Sequence, residues 1–170
     1  MRIAINFITF QIGWFACVLG AVHDFFWLGP LTVAGVFFIH LFLNGNIIQE
    51  SILGLIICCI GFSVDTFLTA FNVYTPMPHY FAHPISPPWL IFLWLNFATL
   101  VNVSLTWLQN KRILSALLGG IGGASAYYGG DALGALHFIE PVYPHIILTG
   151  IIWAGLTPFF LSLAIFLKRL

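Results

Sequence analysis

Asp65 stands in the middle of the apolar run GFSVDTFLTAF, residues 61–71. A carboxylate in that setting can take up a proton, hold the polar head of a ligand, or anchor a hydrogen-bond network. It cannot stand alone. An aspartate at the centre of a bilayer costs about 2.5–3.5 kcal/mol, so it requires a partner, a water-filled cavity or protonation. Asn96, Thr99, Asn102 and Thr106 are spaced i, i+3, i+6, i+10, which puts them on one face of a helix. Ser125, Tyr127, Tyr128 and Thr149 add polar groups from later in the chain, and Gln11, Trp14 and His40 from earlier. Read functionally, Asp65, Asn96, Thr99, Asn102, Tyr127, Tyr128, Gln11, Trp14 and His40 bound a polar ligand cavity with Asp65 as its ionisable centre. Read structurally, they form interhelical glue, with Asp65 capped by Asn96 or a tyrosine. Such bonds average only about 0.6 kcal/mol and are common. A lone imidazole such as His40 equally suits a satisfied structural position.

A second constellation gathers His23, Asp24, His79, His83, Asp131, His137, Glu140 and His145. On a helix, His79-x-x-x-His83 would present two imidazoles on one side, a pair that suits zinc or copper. The surrounding prolines oppose a regular helix, so no metal site is expected; His79, His83, His137 and His145 are the residues that would form one. The rival reading is an interfacial belt with Trp27, Tyr80, Trp89 and Tyr143. Cys17, Cys58 and Cys59 lie in apolar runs and act there as small hydrophobes. In GGIGGASAYYGGDALG the pairs Gly119/Gly123 and Gly130/Gly134 suit close helix packing. A phosphate loop is excluded, since no strand precedes it and no Gly-Lys-Ser/Thr ends it. Ser-His-Asp order, zinc-protease signatures and nucleotide motifs are also missing, and no cofactor is expected.

The elements that must carry these residues follow from composition. Of 170 residues, 61% are hydrophobic and 6% charged, with a mean hydropathy of +1.04. Soluble domains carry roughly a quarter charged residues, so the expectation is an all-α integral membrane protein, one domain over 1–170. A helix needs about 20 apolar residues to cross, which divides the chain into six spans near 4–22, 27–44, 51–73, 89–109, 113–133 and 145–167. The first reads as a retained helix, without a cleavable signal. Arg2, Lys111–Arg112 and Lys168–Arg169 then all fall on one side, and the positive-inside rule makes that side, with both termini, cytoplasmic. At 1.5 Å per residue, Asp65 lies roughly 12 Å below the outer surface and Asn96 roughly 10 Å, the same layer. Zero formal net charge and scattered basic residues exclude nucleic acid as a partner.

Three phrases in order, NFITFQIGWFACVLGA (6–21), PPWLIFLWLNFATLVNVSLTWL (87–108) and LLGGIGGASAYYGGDALGA (117–135), resemble the uncharacterised bacterial inner-membrane family known as domain of unknown function 2878. His40 and Asp65 match polar positions of that family; His79 and His83 are not part of its pattern. The resemblance implies a compact protein of the bacterial inner membrane and carries no activity with it. Three functions are open. The leading one is a non-enzymatic protein that binds or translocates a small or lipidic molecule in an outer-half polar cavity. The alternatives are a lipid-modifying enzyme using the outer His/Asp/Glu cluster, and an accessory subunit whose aromatic surface, with 18 phenylalanines, packs against membrane partners or a second copy.

Overall fold

In hydrocarbon every backbone N–H and C=O must be satisfied within the protein, which drives long apolar runs into helices. The computed structural model of the chain describes residues 2–44, 46–77 and 84–169. Six helices account for most of it: α1 (Arg2–Val22), α2 (Leu28–Asn44), α3 (Ile47–Ala70), α4 (Pro88–Val101), α5 (Arg112–Leu133) and α6 (Val142–Leu167). Three of them, α1, α3 and α6, are long and apolar enough to cross a membrane. Helices α2 and α4 are apolar but shorter, and α5 is diluted by glycine.

The fourth helix is shorter than the expected 89–109. It stops at Val101, passes through turns and ends in a single 3-10 turn, Thr106–Leu108. Side chains here find tertiary partners that a continued helix would deny them. Asn102 donates to Glu50 Oε1 at 3.0 Å, Ser104 donates to Asn6 Oδ1 at 2.6 Å, and the Gln109 amide donates to the freed Val101 carbonyl at 3.2 Å. The stripe from Asn96 to Thr106 is therefore not one helix face. Helix α3 also begins earlier than expected, at Ile47, which puts Glu50 in its first turn, where that side chain is buried.

Two short strands were not anticipated. β1 (Tyr74–Pro76) follows α3 and β2 (Leu136–Phe138) follows α5. They pair antiparallel, with Tyr74 opposite Phe138 and Pro76 opposite Leu136, and close one end of the bundle. At the other end the Arg2 guanidinium donates to the Leu43 carbonyl at 2.5 Å, Lys111 sits 5.3 Å above the Trp107 ring, and Leu167 joins the same core cluster as Leu53 and Leu108. Arg2, Lys111, Arg112, Lys168 and Arg169 thus gather at this basic end.

Helices α5 and α6 meet along small residues. A side chain at Gly120 would press on the Gly150 carbonyl and Ala154, and one at Gly150 would touch Ala124. The expected Gly119/Gly123 pair does admit close neighbours, Thr157 and Trp153. Gly134 does something else: at φ +86° it ends α5 as a left-handed cap. Gly61 of α3 lies directly under the Trp94 ring, so that an added Cβ would overlap the indole. We expect Gly61→Ala to displace Trp94 and destabilise the protein by about 1–3 kcal/mol. Thermal unfolding in mild detergent tests this, and an unchanged midpoint would show that the ring is not seated there.

Candidate functional site

Asp65 is 0% exposed, and three donors reach it from three other elements. After α3 the chain doubles back, and the Tyr74 hydroxyl of β1 donates to Asp65 Oδ1 at 2.8 Å. The Tyr127 hydroxyl of α5 donates to the same oxygen in a short hydrogen bond. Trp94 Nε1 of α4 donates to Oδ2 at 2.6 Å. A carboxylate offers about four acceptor positions, so three are taken. A fifth element joins through the Trp94 ring, which stacks on Trp153 of α6 with centroids 4.5 Å apart and planes within 4°. Such an aromatic pair adds about 0.5–1.5 kcal/mol beyond its buried area.

Beside this cluster runs a cavity of about 600 Å³, walled by α1, α4, α5 and α6. It extends from Val18 and Gly130 near the ribbon to Phe7 and Leu118 near the basic end, roughly 17 Å at 1.5 Å per residue. Phe7, Leu118, Gly122 and Ser125 line it and are exposed, so it opens sideways between α1 and α5. Most of its wall is aromatic or aliphatic. The expected polar, outer-half cavity is thus corrected to a long, mostly apolar one that reaches Asp65.

The predicted site residues divide. Asp65, Tyr127, Gln11 and Trp14 line the cavity. Asn96 is equally buried but donates to the Phe10 carbonyl of α1 at 2.8 Å and does not touch Asp65. The reason is angular: Trp94 and Asn96 are two residues apart, about 200° around a helix of 3.6 residues per turn, so when one faces α3 the other faces away. Thr99 turns its hydroxyl onto the Asn96 carbonyl of its own helix at 2.7 Å. Tyr128, next to Tyr127, is 56% exposed and leaves the site for the same angular reason. Thr149 returns its hydroxyl to the Ile146 carbonyl.

His40 and Asn102 belong to a second cluster. His40 Nε2 lies 3.1 Å from Glu50 Oε2, Asn102 donates to Glu50 Oε1, and the Gln109 amide donates to Asn102 Oδ1 at 3.3 Å. Glu50 is fifteen residues from Asp65 along α3, roughly 22 Å, so the two clusters are separate. At the ribbon end, His137 Nδ1 is 3.7 Å from Asp131 Oδ1, and His145 Nδ1 donates to the Ile139 carbonyl at 2.8 Å. His79 and His83 lie outside the described residues. Among the described residues no group of three or more His, Cys, Asp or Glu side chains could hold a metal.

Sequence reading missed Glu50, Tyr74, Trp94 and Trp153. Trp94 and Tyr74 carried a usable signal, since each is a donor that an intramembrane carboxylate needs. Glu50 was hidden by its place in a turn-like phrase.

A helical chain with one short β-ribbon and three helices long and apolar enough to span a bilayer has the build of a membrane protein. It belongs to a family of proteins of unknown function (DUF2878), whose pattern matches residues 3–159. Neither a curated protein nor a solved structure shows significant similarity to it.

The Asp65 cluster makes a specific energetic demand. We expect Tyr127→Phe to cost about 1–2 kcal/mol, high for an interhelical hydrogen bond because the acceptor is a carboxylate. The same change in an Asp65→Leu background should cost much less. Equal losses of thermal midpoint in both backgrounds would show that the hydroxyl acts elsewhere.

Proposed function

We propose that the chain is a six-span protein of the bacterial inner membrane, with both termini cytoplasmic, that binds or translocates a small or lipidic molecule in the cavity between α1 and the α5–α6 pair. The cavity carries this reading. Its volume of about 600 Å³ falls within the roughly 300–1,000 Å³ of ligand sites, which are typically apolar with a few placed polar groups. The sideways mouth between Phe7 and Leu118 favours a hydrocarbon-bearing molecule that arrives from the bilayer. Asp65, closed off and held by three donors, fixes Trp94 and Tyr127, which line the cavity, in position.

The orientation is supported by charge. All lysines and arginines lie at the basic end, and the ribbon end has none, the asymmetry that selects a cytoplasmic side. Helix α5, with 22 residues, is roughly 33 Å long and matches a hydrocarbon core of about 30 Å. The 17-residue α2 and 14-residue α4 fall short, and α4 is extended by its turns to the same end.

Two measurements test the reading. In a cysteine-free background, a membrane-impermeant thiol reagent added outside intact inner membranes should label Tyr143→Cys and spare Asn110→Cys; labelling of both from one side would reject the orientation. The second uses Gly122, where an added Cβ would meet nothing within 4 Å. Gly122→Phe should place a ring in the mouth, leave the thermal midpoint unchanged, and deplete the lipid that survives extensive detergent washing, as measured by mass spectrometry of an organic extract. Undiminished lipid would reject the cavity as the binding place.

A further inference from the structure

Gln11 of α1 and Ser125 of α5 differ from the other polar residues of the cavity wall. Asp65, Trp94 and Tyr127 are occupied with one another, Trp89 donates to the Met77 carbonyl at 2.8 Å, and Trp153 Nε1 and Thr157 Oγ1 are closed off. Gln11 is only half-buried and Ser125 is exposed, and both line the cavity. Among the described residues neither side chain finds a hydrogen-bond partner. Ser63 and Ser162, also exposed in apolar helices, return their hydroxyls to the carbonyl four residues back. Ser125 does not.

The two groups stand in one layer. Helices α1 and α5 both rise from the basic end, and the Trp14 ring lies 3.4 Å from where a Cβ of Gly129 would be. Gln11 precedes Trp14 by three residues and Ser125 precedes Gly129 by four. They therefore lie roughly 4.5 and 6 Å below that contact, on the helix faces that make it. The layer is near the middle of α1, where the surrounding hydrocarbon has no hydrogen bond to give an amide. The cavity continues both ways from it, roughly 6 Å to Phe7 and roughly 10 Å to Val18.

Charge narrows the class of molecule that would satisfy this pair. Among the described residues no lysine, arginine or histidine lines the cavity, so an anion meets no counter-charge. The Asp65 carboxylate is enclosed and held by three donors, so a cation meets none either. Position narrows it further. An oxygen at the end of a chain, set at Gln11, would leave one arm of the cavity unfilled. An oxygen within the chain sends hydrocarbon both ways, past Phe7 and toward Val18.

We infer that the occupant is an uncharged lipid with a carbonyl or hydroxyl oxygen in the interior of its chain, bonded by the Gln11 amide and the Ser125 hydroxyl. This rests on the reading that the cavity holds a lipidic molecule, and it names the class. The chain enters sideways between α1 and α5, lies against Phe7, Phe10 and Trp14, and is fixed in register by its oxygen.

The test is equilibrium binding of radiolabelled heptadecan-9-one, whose oxygen is at the centre of its chain, to the protein in phosphatidylcholine nanodiscs, corrected for empty discs. Saturable binding is expected. Heptadecane and heptadecan-1-ol should each displace it about five-fold less effectively than the unlabelled ketone does, the worth of one neutral hydrogen bond. Gln11→Met keeps the length and removes the amide. It should abolish about that factor for the ketone, leave heptadecane unaffected and leave the thermal midpoint unchanged, since the amide bonds nothing in the protein. Ser125→Ala, at an exposed position, is the second variant and should also weaken the ketone alone. Equal displacement by heptadecane, with no effect of either substitution, would overturn the inference and leave the cavity reading intact. Heptadecan-1-ol as effective as the ketone would overturn it through the position of the oxygen. If neither ketone nor hydrocarbon binds above empty discs, the cavity reading fails and takes this inference with it.

Discussion

The hydroxyls of Tyr74 and Tyr127 and the indole of Trp94 converge on Asp65 from β1, α5 and α4, and this convergence holds otherwise loosely joined parts in register. A buried carboxylate stripped of its donors is costly far beyond the worth of any one hydrogen bond. Each donor is therefore constrained in depth and in angle, and so is the element that carries it. Tyr74 fixes where the chain turns after α3. Trp94 fixes the rotation of α4, and its stack on Trp153 passes that constraint to α6. Gly61 is the complement on α3, since only a missing side chain lets the indole lie flat against the helix that bears Asp65.

Much of this was legible in the sequence, and the limit was angular. Apolar run length and the placement of Arg2, Lys111–Arg112 and Lys168–Arg169 outline the helices, and depth counted at 1.5 Å per residue put Asp65 and the middle of α4 in one layer. Depth alone does not say which residue of that layer turns inward. Asn96 was the obvious polar partner, but its neighbour two positions back, Trp94, holds the carboxylate, and Asn96 answers α1. The same ambiguity separates Tyr127 from Tyr128. Tyr74 escaped because its strand exists only through pairing with β2, a contact between segments more than sixty residues apart that no local pattern announces. The early end of α4 has a similar origin: Asn102, Ser104 and Gln109 are satisfied by Glu50, Asn6 and a carbonyl, partners set by tertiary structure.

Glu50 belongs with these. Beside the asparagine and isoleucines of NGNIIQE it reads as a turn residue, and His40, ten positions earlier, reads as an isolated imidazole. Together they are a buried pair 3.1 Å apart, tied through Asn102 to the end of α4. The molecule therefore has one polar clasp near each end of α3. The Glu50 clasp gathers α2, α3 and α4 at the basic end, whereas the Asp65 clasp gathers α3, α4 and α5 nearer the ribbon.

Neither clasp includes α1, and that omission explains the cavity. Helices α5 and α6 satisfy each other along the Gly120, Ala124, Gly150 and Ala154 seam, and they reach the remaining bundle through Tyr127, Trp153 and the β-ribbon. Helix α1 is secured elsewhere, by Asn6 and Phe10 to α4 and by Arg2 to the end of α2. Among the described residues no small-residue seam or polar bridge draws α1 onto α5, and the facing side chains, aromatic on one helix and glycine on the other, leave space between them. Glycine at 119, 122 and 123 thus does two jobs. It lets Thr157 and Trp153 of α6 come forward to the cavity wall, and it keeps the wall opposite Phe7, Phe10 and Trp14 low. A Cβ at Gly122 would meet nothing within 4 Å, so the gap stays open on the α5 side, with Asp65 at its inner edge.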